Sequence, residues 1–425
     1  MRTIRISLER NGEMVPVGVI AGDTPATATF AYDDEYLKLD GSIPICLALP
    51  LRHEPFSPEE TMRYFDGLLP EGFTRRCVAG AVRADESDYL SILSSLGAEC
   101  VGAVMAAESG VPVPETPHYR QLSNEEMLTL ASEGATESAQ MVVESRVSLA
   151  GASGKVGLYQ PPAADGWFLP SGTAPSTHIV KQGHVRYGDI VVNEQLCLSA
   201  AAKCGLRVSD SFVIPTAEPL FATARFDRET LQASKTIDGM PAPLRLHQQD
   251  FGQALGIPSS QKYESDGDAY LARCFELLRN RSTRPREDVA ELWNSVMFSL
   301  VVGNLDNHVK NYGLLYSSDW RSLRLAPLYD VVCTLVYSGT SGALPMSLGG
   351  VRNVEDVQRS DVANAARSAG LGVRVALENL DRLVEQVPKA LTESAQELAD
   401  EGLPEALRMA DRIIGAFAPR RSKLL

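Results

Sequence analysis

The sequence predicts an α/β protein of the α+β type, with a β-rich start, a small sheet in the middle and a largely helical second half. The chain has 425 residues, and at roughly 150 residues per domain this length predicts two to three domains. Alternating apolar residues near the start indicate strands, whereas apolar residues three and four apart indicate helices farther on. We place the domains at 1–115, 116–228 and 229–425.

The first domain is predicted to combine short strands with helices. Apolar and polar residues alternate in 2–8 and 26–32, as is typical of half-buried strands. From Ser57 onward the spacing becomes helical, and a second helix is predicted for 87–96. The segment 110–119 contains three prolines and no periodicity, which predicts a linker.

The second domain is predicted as short strands around one long helix. Ser123 and Glu126 have the spacing of a capping box and begin a first short helix. The long helix covers 189–204 and ends at Gly205. The strands of a small antiparallel sheet are predicted at 141–149, 155–160, 177–181, 211–215 and 220–226.

The third domain is predicted to be helical apart from one loop-rich segment, 303–350. The segment 354–417 again has helical spacing. Beyond it lie Arg420, Arg421 and Lys423, which we interpret as a solvated basic end that could add a few phosphate contacts.

Charge and cysteine usage restrict the class of protein and its compartment. A net charge of −14 disfavours direct wrapping of nucleic acid, because phosphate binding requires basic surface. The seven cysteines are odd in number and contain no C-x-x-C pair, which predicts buried, reduced thiols and a cytoplasmic protein. Neither a secretory signal nor a run of about 18 apolar residues is visible, so no export signal and no membrane span are expected.

A glycine-rich segment, Ser148-Leu-Ala-Gly-Ala-Ser-Gly-Lys155, lies between two predicted strands. Small residues at such a turn let backbone N–H groups approach phosphate oxygens. The pattern of a P-loop NTPase fails twice, because Leu149 stands at the first glycine position and Val156 replaces the metal-binding hydroxyl. The segment alone fits either a phosphate-binding loop or an ordinary hairpin turn.

Lys181 ends an apolar strand, and Asn193 and Glu194 follow early in the next helix. In kinase-like lobes a strand lysine holds the nucleotide phosphates, and a helix carboxylate can orient that lysine. A solvated lysine and a surface glutamate would give the same pattern. The choice between these two interpretations of Lys181 and Glu194 therefore depends on the other motifs of the chain.

The most specific pattern is Gly303-Asn-Leu-Asp306-Asn-His-Val-Lys-Asn311, followed by Ala-Pro-Leu-Tyr-Asp330. Phosphoryl transfer needs a carboxylate that accepts the proton of the attacking hydroxyl group, an amide metal ligand shortly after it and a second carboxylate on Mg²⁺. Asp306, Asn311 and Asp330 occur in that order and with the spacing of protein-kinase catalytic and metal-binding motifs. His308 by itself is more simply explained as structural, since no second histidine has ligand spacing.

These motifs together resemble the HipA-type toxin kinases of bacterial toxin–antitoxin modules, over nearly the whole chain. The resemblance implies a two-lobed protein-kinase-like fold with a helical C-lobe and an N-terminal β-rich subdomain. It is carried by the ordered motifs at 30–37, 67–72, 224–228, 247–251, 262–264, 303–311 and 326–330.

The resemblance implies a serine/threonine protein kinase that uses ATP and Mg²⁺. It implies catalytic roles for Asp306, His308 and Lys310, and metal binding by Asn311 and Asp330. Residues implied to contact ATP are Ala150, Gly151, Ala152, Ser153, Gly154, Lys155, Lys181, Ala224, Arg225, Phe226, Asp227 and Tyr329.

Inhibitory autophosphorylation at Ser148 is also implied, because two negative charges beside the polyphosphate site would expel the loop. This chain has Gly154 where familiar members have an acidic residue before the loop lysine, and Ser153 offers a second hydroxyl group in the same loop. Either serine could therefore be the acceptor.

The resemblance further implies a helix-turn-helix antitoxin of the HipB type, through which operator DNA would mainly be bound. The protein substrate would be an aminoacyl-tRNA synthetase, notably the glutamyl enzyme. Two alternatives from other classes stay open: a catalytically silent regulatory subunit of a DNA-bound repressor complex, and a small-molecule phosphotransferase. The four intact residues Lys181, Asp306, Asn311 and Asp330 argue against the silent subunit.

Overall fold

The chain forms two units, each with its own internal packing. The computed structural model describes residues 1–110, 116–151, 154–162, 166–184, 186–230 and 235–425. The first unit comprises Met1–Gln182, Ile214–Ser259 and Leu314–Leu323. The second comprises Gly183–Val213, Ser260–Gly313 and Arg324–Leu425. Helices and small sheets alternate throughout, so the predicted α+β class is confirmed, whereas the domain boundaries at 115 and 228 stay predictions.

Residues 1–110 contain an antiparallel sheet in the order β3-β2-β1-β4. Its central strand has the predicted alternation, with Ile4, Ile6 and Leu8 fully buried. Ser57 and Glu60 form the capping box of α2. The elements of this segment are β1 Thr3–Arg10, β2 Glu13–Ala21, β3 Thr29–Tyr32, α1 Asp34–Leu37, α2 Pro58–Phe65, α3 Gly72–Ala81, α4 Tyr89–Leu96 and β4 Val104–Glu108.

The next segment contains a second antiparallel sheet and the helices packed on it. A strand predicted at 141–149 is wrong, because this stretch continues a helix, α6, that ends at Ser145. The elements are β5 His118–Gln121, α5 Asn124–Glu133, α6 Ala135–Ser145, β6 Lys155–Leu158, β7 Phe168–Ser171, β8 His178–Lys181, α7 Ile190–Lys203, β9 Ser211–Ile214 and β10 Leu220–Ala224.

The reason for this error is visible in the burial pattern of α6. Ser138, Val142 and Ser145 are buried at spacings of four and three, together with Met141, and this is the pattern of a helix face. The apolar run Met-Val-Val is too short to distinguish a strand from a buried helix by itself. Packing of α6 on the sheet therefore overrides the strand preference of two adjacent valines.

The sheet of β6, β8 and β10 has one face that packs against helices and an opposite face that carries two lysines. Its apolar side chains, which include Val156, Val180 and Ala222, belong to one buried cluster with residues of α5 and α6. Lys181 is in register with Lys155 on β6 and with Phe221 on β10. Because side chains alternate along strands, these three residues share the face opposite the apolar cluster.

The remaining chain is mostly helical, as predicted. The longest helix, α12, presents an apolar stripe that is buried along its length. The elements are β11 Arg228–Glu229, β12 Thr236–Ile237, β13 Met240–Pro241, β14 Leu244–Arg245, β15 Gln248–Asp250, α8 Phe251–Ala254, α9 Tyr270–Arg281, α10 Pro285–Val302, β16 Gly313–Tyr316, β17 Leu323–Leu325, β18 Ala343–Leu348, β19 Val351–Asn353, α11 Arg359–Ser368, α12 Val373–Asp400 and α13 Glu405–Leu424.

The interpretation of the basic end as solvated is wrong for Arg420. Helix α13 continues through it, and only 2% of the residue is exposed. Its guanidinium group donates to the carbonyl oxygens of Leu300 (2.7 Å) and Val301 (3.4 Å), in the last turn of α10. A cation at a helix C-terminus satisfies carbonyl groups that have no partner within the helix. Arg420 therefore anchors α10 and is withdrawn from any contact with DNA.

All seven cysteines are free thiols, and all except Cys77 are buried, as predicted. Burial raises the pKa of the Cys46 thiol to about 12, so it stays protonated. None of the helices that the structure describes combines the length and the hydropathy needed to cross a lipid bilayer.

Candidate active site

The predicted catalytic segment begins where α10 ends. Gly303 follows the helix with φ +80°, a left-handed conformation that favours glycine. A Cβ atom at this position would lie 2.7 Å from Leu335 Cδ1. Thr334 also fastens the segment, since it accepts a hydrogen bond from the Leu305 N–H (3.0 Å) and donates to the Gly303 carbonyl oxygen (3.2 Å). The segment therefore leaves the helix in one defined direction.

The main chain around Asp306 is fixed while its carboxylate remains accessible. Its N–H donates to Asn304 Oδ1 (3.1 Å), and its carbonyl oxygen accepts a bond from Asn311 Nδ2 (2.8 Å). The side chain of Asp306 is 54% exposed. A half-exposed carboxylate on a constrained backbone is suited to accept a proton from a bound hydroxyl group.

Asn311 and Asp330, the two predicted metal ligands, offer oxygen atoms that suit Mg²⁺. The Nδ2 bond of Asn311 to Asp306 fixes the amide orientation, so that Oδ1 is the atom available to a metal ion. Asp330 has a carboxylate and φ +57°, a strained conformation that is concentrated at functional sites. An amide oxygen and a carboxylate, completed by phosphate and water oxygens, form a typical Mg²⁺ site in phosphotransferases.

The two metal-binding segments are tied together within the second unit. Tyr329 Oη donates to the carbonyl oxygen of Lys310 (2.9 Å), which joins the residue before Asp330 to the residue before Asn311. Beyond Asp330, Asn193 of α7 bonds to the backbone of Cys333 through both its amide atoms, at 2.9 and 3.0 Å. Asn193 is therefore a structural support for this loop, a role that its sequence position did not reveal.

His308 is buried beside the predicted base. Its side chain is 6% exposed, and Nε2 lies 3.9 Å from Asp306 Oδ1. Burial lowers the pKa of His308 despite the opposing effect of Asp306, which favours the neutral imidazole. A neutral imidazole adds no positive charge to the site, which fits the structural interpretation as well as the catalytic one.

The beginning of the glycine-rich loop is held by the N-terminal part of the same unit. Ser148 is fully buried, and its Oγ donates to the carbonyl oxygen of Leu68 (2.7 Å). Its N–H donates to the carbonyl oxygen of Glu99 (2.8 Å), and the carbonyl oxygen of Gly151 accepts from the Glu71 N–H (3.0 Å). The loop start thus lies against the segments around residues 68–71 and 99.

The end of this loop leads toward the predicted phosphate-binding lysine. Gly151 has φ +108°, and a Cβ atom there would lie 2.7 Å from Lys155 Nζ. Lys155 is the register partner of Lys181, whose Nζ lies 5.5 Å from the Phe221 ring centroid. Two lysines and a backbone turn on one sheet face form a cationic surface suited to phosphates. Ala150 and Gly154 flank this turn, whereas Ala152 and Ser153 lie outside the described residues.

The predicted hinge, Ala224 to Asp227, contains a buried ion network. Arg225 donates to both carboxylate oxygens of Asp227 (2.9 and 2.8 Å) and to Glu99 Oε1 (2.8 Å). Arg228 donates to the same Glu99 oxygen (2.9 Å), and these four side chains are at most 3% exposed. The side chains of Arg225 and Asp227 are therefore engaged in structure, and contact of the hinge with a nucleotide stays a prediction that concerns its main chain and Phe226.

A cavity of about 560 Å³ lies at the same end of the sheet. Thr177, His178, Ala224 and Arg228 contribute to its wall. His178 begins β8 and is in register with Ala224 at the end of β10, so this cavity lies at the opposite end of β8 from Lys181. Burial lowers the pKa of His178 to about 4.

Comparisons with known proteins agree with these features. A family model described as "HipA-like C-terminal domain" matches residues 147–391, and one described as "HipA N-terminal domain" matches residues 12–107. "Putative kinase Y4mE" of Sinorhizobium fredii is 32% identical over 411 residues, which cover 94% of each chain. "Serine/threonine-protein kinase toxin HipA" of Shewanella oneidensis is 24% identical over 91% of this chain and 89% of its own.

A solved structure has the same fold. It is the HipA of Shewanella oneidensis in a complex with HipB and operator DNA, with a TM-score of 0.80 and 21% identity over 97% of this chain and 96% of that one. Fold and relatives together define the chain as a protein kinase. More than half of its length matches the C-terminal family model, and the chain belongs to the HipA family of kinase toxins.

Two residues of this region have roles that sequence reasoning did not predict. Tyr263, within the 262–264 motif, donates a hydrogen bond to Asp306 Oδ1 (2.6 Å). Arg420 supports the helix that precedes the catalytic segment. The motif at 262–264 was a usable signal for Tyr263, whereas nothing local distinguishes Arg420 from a surface arginine.

Proposed function

We propose that this chain transfers the γ-phosphoryl group of ATP to a serine or threonine hydroxyl group of a protein. Asp306 acts as the base, Asn311 and Asp330 bind Mg²⁺, and Lys181 with the glycine-rich loop binds the phosphates. ATP supplies the transferred group, and Mg²⁺ neutralises its negative charge. The contribution of the protein is positioning and charge complementarity.

The observation that carries this proposal is that Asn311 is bonded to the main chain of Asp306 while the Asp306 carboxylate is half exposed. The 2.8 Å bond from Asn311 Nδ2 to the Asp306 carbonyl oxygen holds the Asn311 amide and the Asp306 main chain on one turn. The 2.9 Å bond from Tyr329 to Lys310 holds the Asp330 segment beside that turn. Structural loop caps alone would not require this order of a carboxylate, an amide and a second carboxylate.

A labelling experiment tests the proposal. Purified protein is first dephosphorylated, then incubated with Mg²⁺ and γ-labelled ATP, and phosphosites are mapped by mass spectrometry. The test variant is Asp306→Asn, and the matched control is Asp266→Asn, whose carboxylate is 99% exposed in the same unit. We expect label in wild type and in Asp266→Asn but none in Asp306→Asn. Equal labelling of all three proteins would refute the role of Asp306.

The same experiment separates the two alternatives. A small-molecule phosphotransferase would form ADP without labelling any protein, provided that its acceptor were supplied. A catalytically silent regulatory subunit would neither label itself nor turn over ATP, even with ATP binding confirmed. Either outcome would replace the proposal.

Autophosphorylation is proposed at Ser148, with Ser153 as the second candidate. Ser148 is fully buried with its hydroxyl group bonded to Leu68, so the loop must leave this position before the hydroxyl group can react. A phosphoserine would carry about −1.5 to −2 charges, which this buried position cannot accept. Phosphorylation would therefore hold the loop away from the nucleotide phosphates.

Partner, substrate and compartment complete the proposal. A helix-turn-helix antitoxin of the HipB type is proposed because the solved relative is bound to HipB and operator DNA. With a net charge of −14 and Arg420 buried, this chain would leave most phosphate contacts to that antitoxin. The substrate is proposed to be an aminoacyl-tRNA synthetase such as the glutamyl enzyme, and seven free thiols favour a cytoplasmic location.

A further inference from the structure

The proposed base already has a hydrogen-bond donor, the hydroxyl group of Tyr263. Tyr263 Oη donates to Asp306 Oδ1 at 2.6 Å, and the same Oδ1 lies 3.9 Å from His308 Nε2. A hydroxyl group or a water molecule must bond to this carboxylate to give up its proton. Tyr263 therefore occupies one of the two carboxylate oxygens that could receive the acceptor's proton.

The backbone that presents Tyr263 is firmly held. The next residue, Glu264, is buried, and its N–H donates to the Pro345 carbonyl oxygen (2.9 Å). The Glu264 carboxylate accepts bonds from Ser347 Oγ (3.1 Å) and the Tyr270 N–H (3.3 Å). The ring of Tyr263 packs edge-to-face against that of His308, with centroids 5.3 Å apart. These contacts of Glu264 and of the Tyr263 ring hold the tyrosine in a position from which its hydroxyl group reaches Asp306.

The side chain of Tyr263 itself can still move. Tyr263 is 48% exposed, and the carboxylate it contacts is 54% exposed. Exposed side chains change rotamer within nanoseconds, and a hydrogen bond in water is readily exchanged for another of the same kind. A contact of this type adds little to folding stability. The hydrogen bond from Tyr263 is therefore better explained by its effect on Asp306 than by a contribution to folding stability.

We propose that Tyr263 is a latch on the catalytic base, which it covers until the hydroxyl group of an acceptor displaces it. The latch would suppress futile hydrolysis of ATP. In that side reaction a water oxygen forms a bond to the γ-phosphorus, the bond from phosphorus to the bridging oxygen breaks, ADP leaves and the water proton passes to Asp306. The inference rests on the proposed function, in which Asp306 is the base.

The test measures ADP formation from Mg²⁺ and ATP without any protein acceptor. Tyr263→Phe keeps the aromatic ring beside His308 and removes only the hydroxyl group. We expect the rate of ADP formation to rise about 3- to 10-fold, the effect of losing one half-exposed hydrogen bond to a charged group, while the KM for ATP is unchanged. Combining it with Asp306→Asn should abolish the increase.

Tyr270→Phe is the matched control. Its hydroxyl group donates to the Gln261 carbonyl oxygen (3.0 Å), so the variant loosens the same loop without touching Asp306, and we expect the wild-type rate. An unchanged or lower rate in Tyr263→Phe would overturn the latch, and a lower rate would make Tyr263 a positioning residue. An equal increase in Tyr270→Phe would overturn it as well, because loop loosening would then be the cause.

The fate of the proposed function is decided separately by the labelling experiment. Label that depends on Asp306, together with an unaltered rate in Tyr263→Phe, would refute the latch and leave the kinase function standing. Absence of both label and ADP in every variant would refute the two together.

Discussion

Glu99 offers the sharpest test of how the first unit is held together. Its carboxylate is 1% exposed and accepts bonds from Arg225 (2.8 Å), Arg228 (2.9 Å), and the N–H and Oγ of Ser176 (both 2.9 Å). In Glu99→Gln a neutral amide of the same shape would leave the two arginines with one carboxylate too few. Breaking a buried ion pair in this way costs about 3–5 kcal/mol, which predicts a fall in the Tm of this unit of roughly 6–20 °C.

The pH dependence of the effect has a definite sign. Burial raises the pKa of Glu99, but Arg228 and Arg225 lower it more, so the net pKa is below its ordinary value. A carboxylate with a lowered folded-state pKa stabilises the protein above its unfolded pKa of about 4.3, and this contribution is lost as the pH falls through the folded-state value. The stability difference between wild type and Glu99→Gln should therefore be largest near pH 7 and should shrink below about pH 4.

The measurement is urea unfolding followed by far-UV circular dichroism at several pH values. Glu13→Gln is the control, because Glu13 forms an exposed pair with Lys235, with 77% and 69% of the two side chains exposed, and such pairs contribute about 0–1 kcal/mol. A Glu99→Gln protein within 1 kcal/mol of wild type at pH 7 would refute the reasoning, as would a difference that grows on acidification.

Three further substitutions probe other parts of the site. Arg420→Met should lower the free energy of unfolding, measured by denaturant titration, by about 2–3 kcal/mol, because two carbonyl groups of α10 lose their donor. The control is Arg421→Met, which removes an exposed ion pair to Glu385. Equal effects of the two substitutions would contradict the prediction. Lys181→Met should reduce kcat/KM for ATP by about 100-fold through loss of phosphate binding, with an unchanged circular dichroism spectrum. A kcat/KM close to that of wild type would show that Lys181 does not bind the phosphates. Gly151→Ala should raise the KM for ATP by about 10-fold, since φ +108° is unfavourable for a residue with a Cβ atom. The KM is measured from steady-state ADP formation at varied ATP concentration. An unaltered KM would mean that this turn does not shape the phosphate site.

The elements that sequence alone predicted well are those with strong local signals. The capping-box spacing of Ser123 and Glu126 correctly predicts the start of α5, and the change to helical spacing at Ser57 correctly predicts the start of α2. Gly205, with φ +81°, follows α7 as expected. The short apolar stretch that ends at Lys181 also correctly predicts β8. In each case a few neighbouring residues determine the conformation.

The elements that were missed depend on distant parts of the chain. Helix α6 contains two adjacent valines that favour a strand locally, and its packing against other elements, which include β6 and β7, stabilises the helix. Arg420 finds its carbonyl partners 120 residues earlier in the chain. Tyr263 reaches Asp306 across 43 residues. No local pattern encodes such contacts, so motif spacing predicted the catalytic segment but not what surrounds it.

The anchoring of α10 by Arg420 has a consequence for the order in which the enzyme is made. The catalytic segment is synthesised before α13, and Arg420, whose guanidinium group caps α10 at Leu300, is added to the chain 120 residues after Leu300. At translation rates of roughly 5–20 residues per second this interval lasts about 6–24 s. During that time the end of α10 in the nascent chain lacks this cap, so the helix that precedes the catalytic segment reaches its full stability only after α13 has docked.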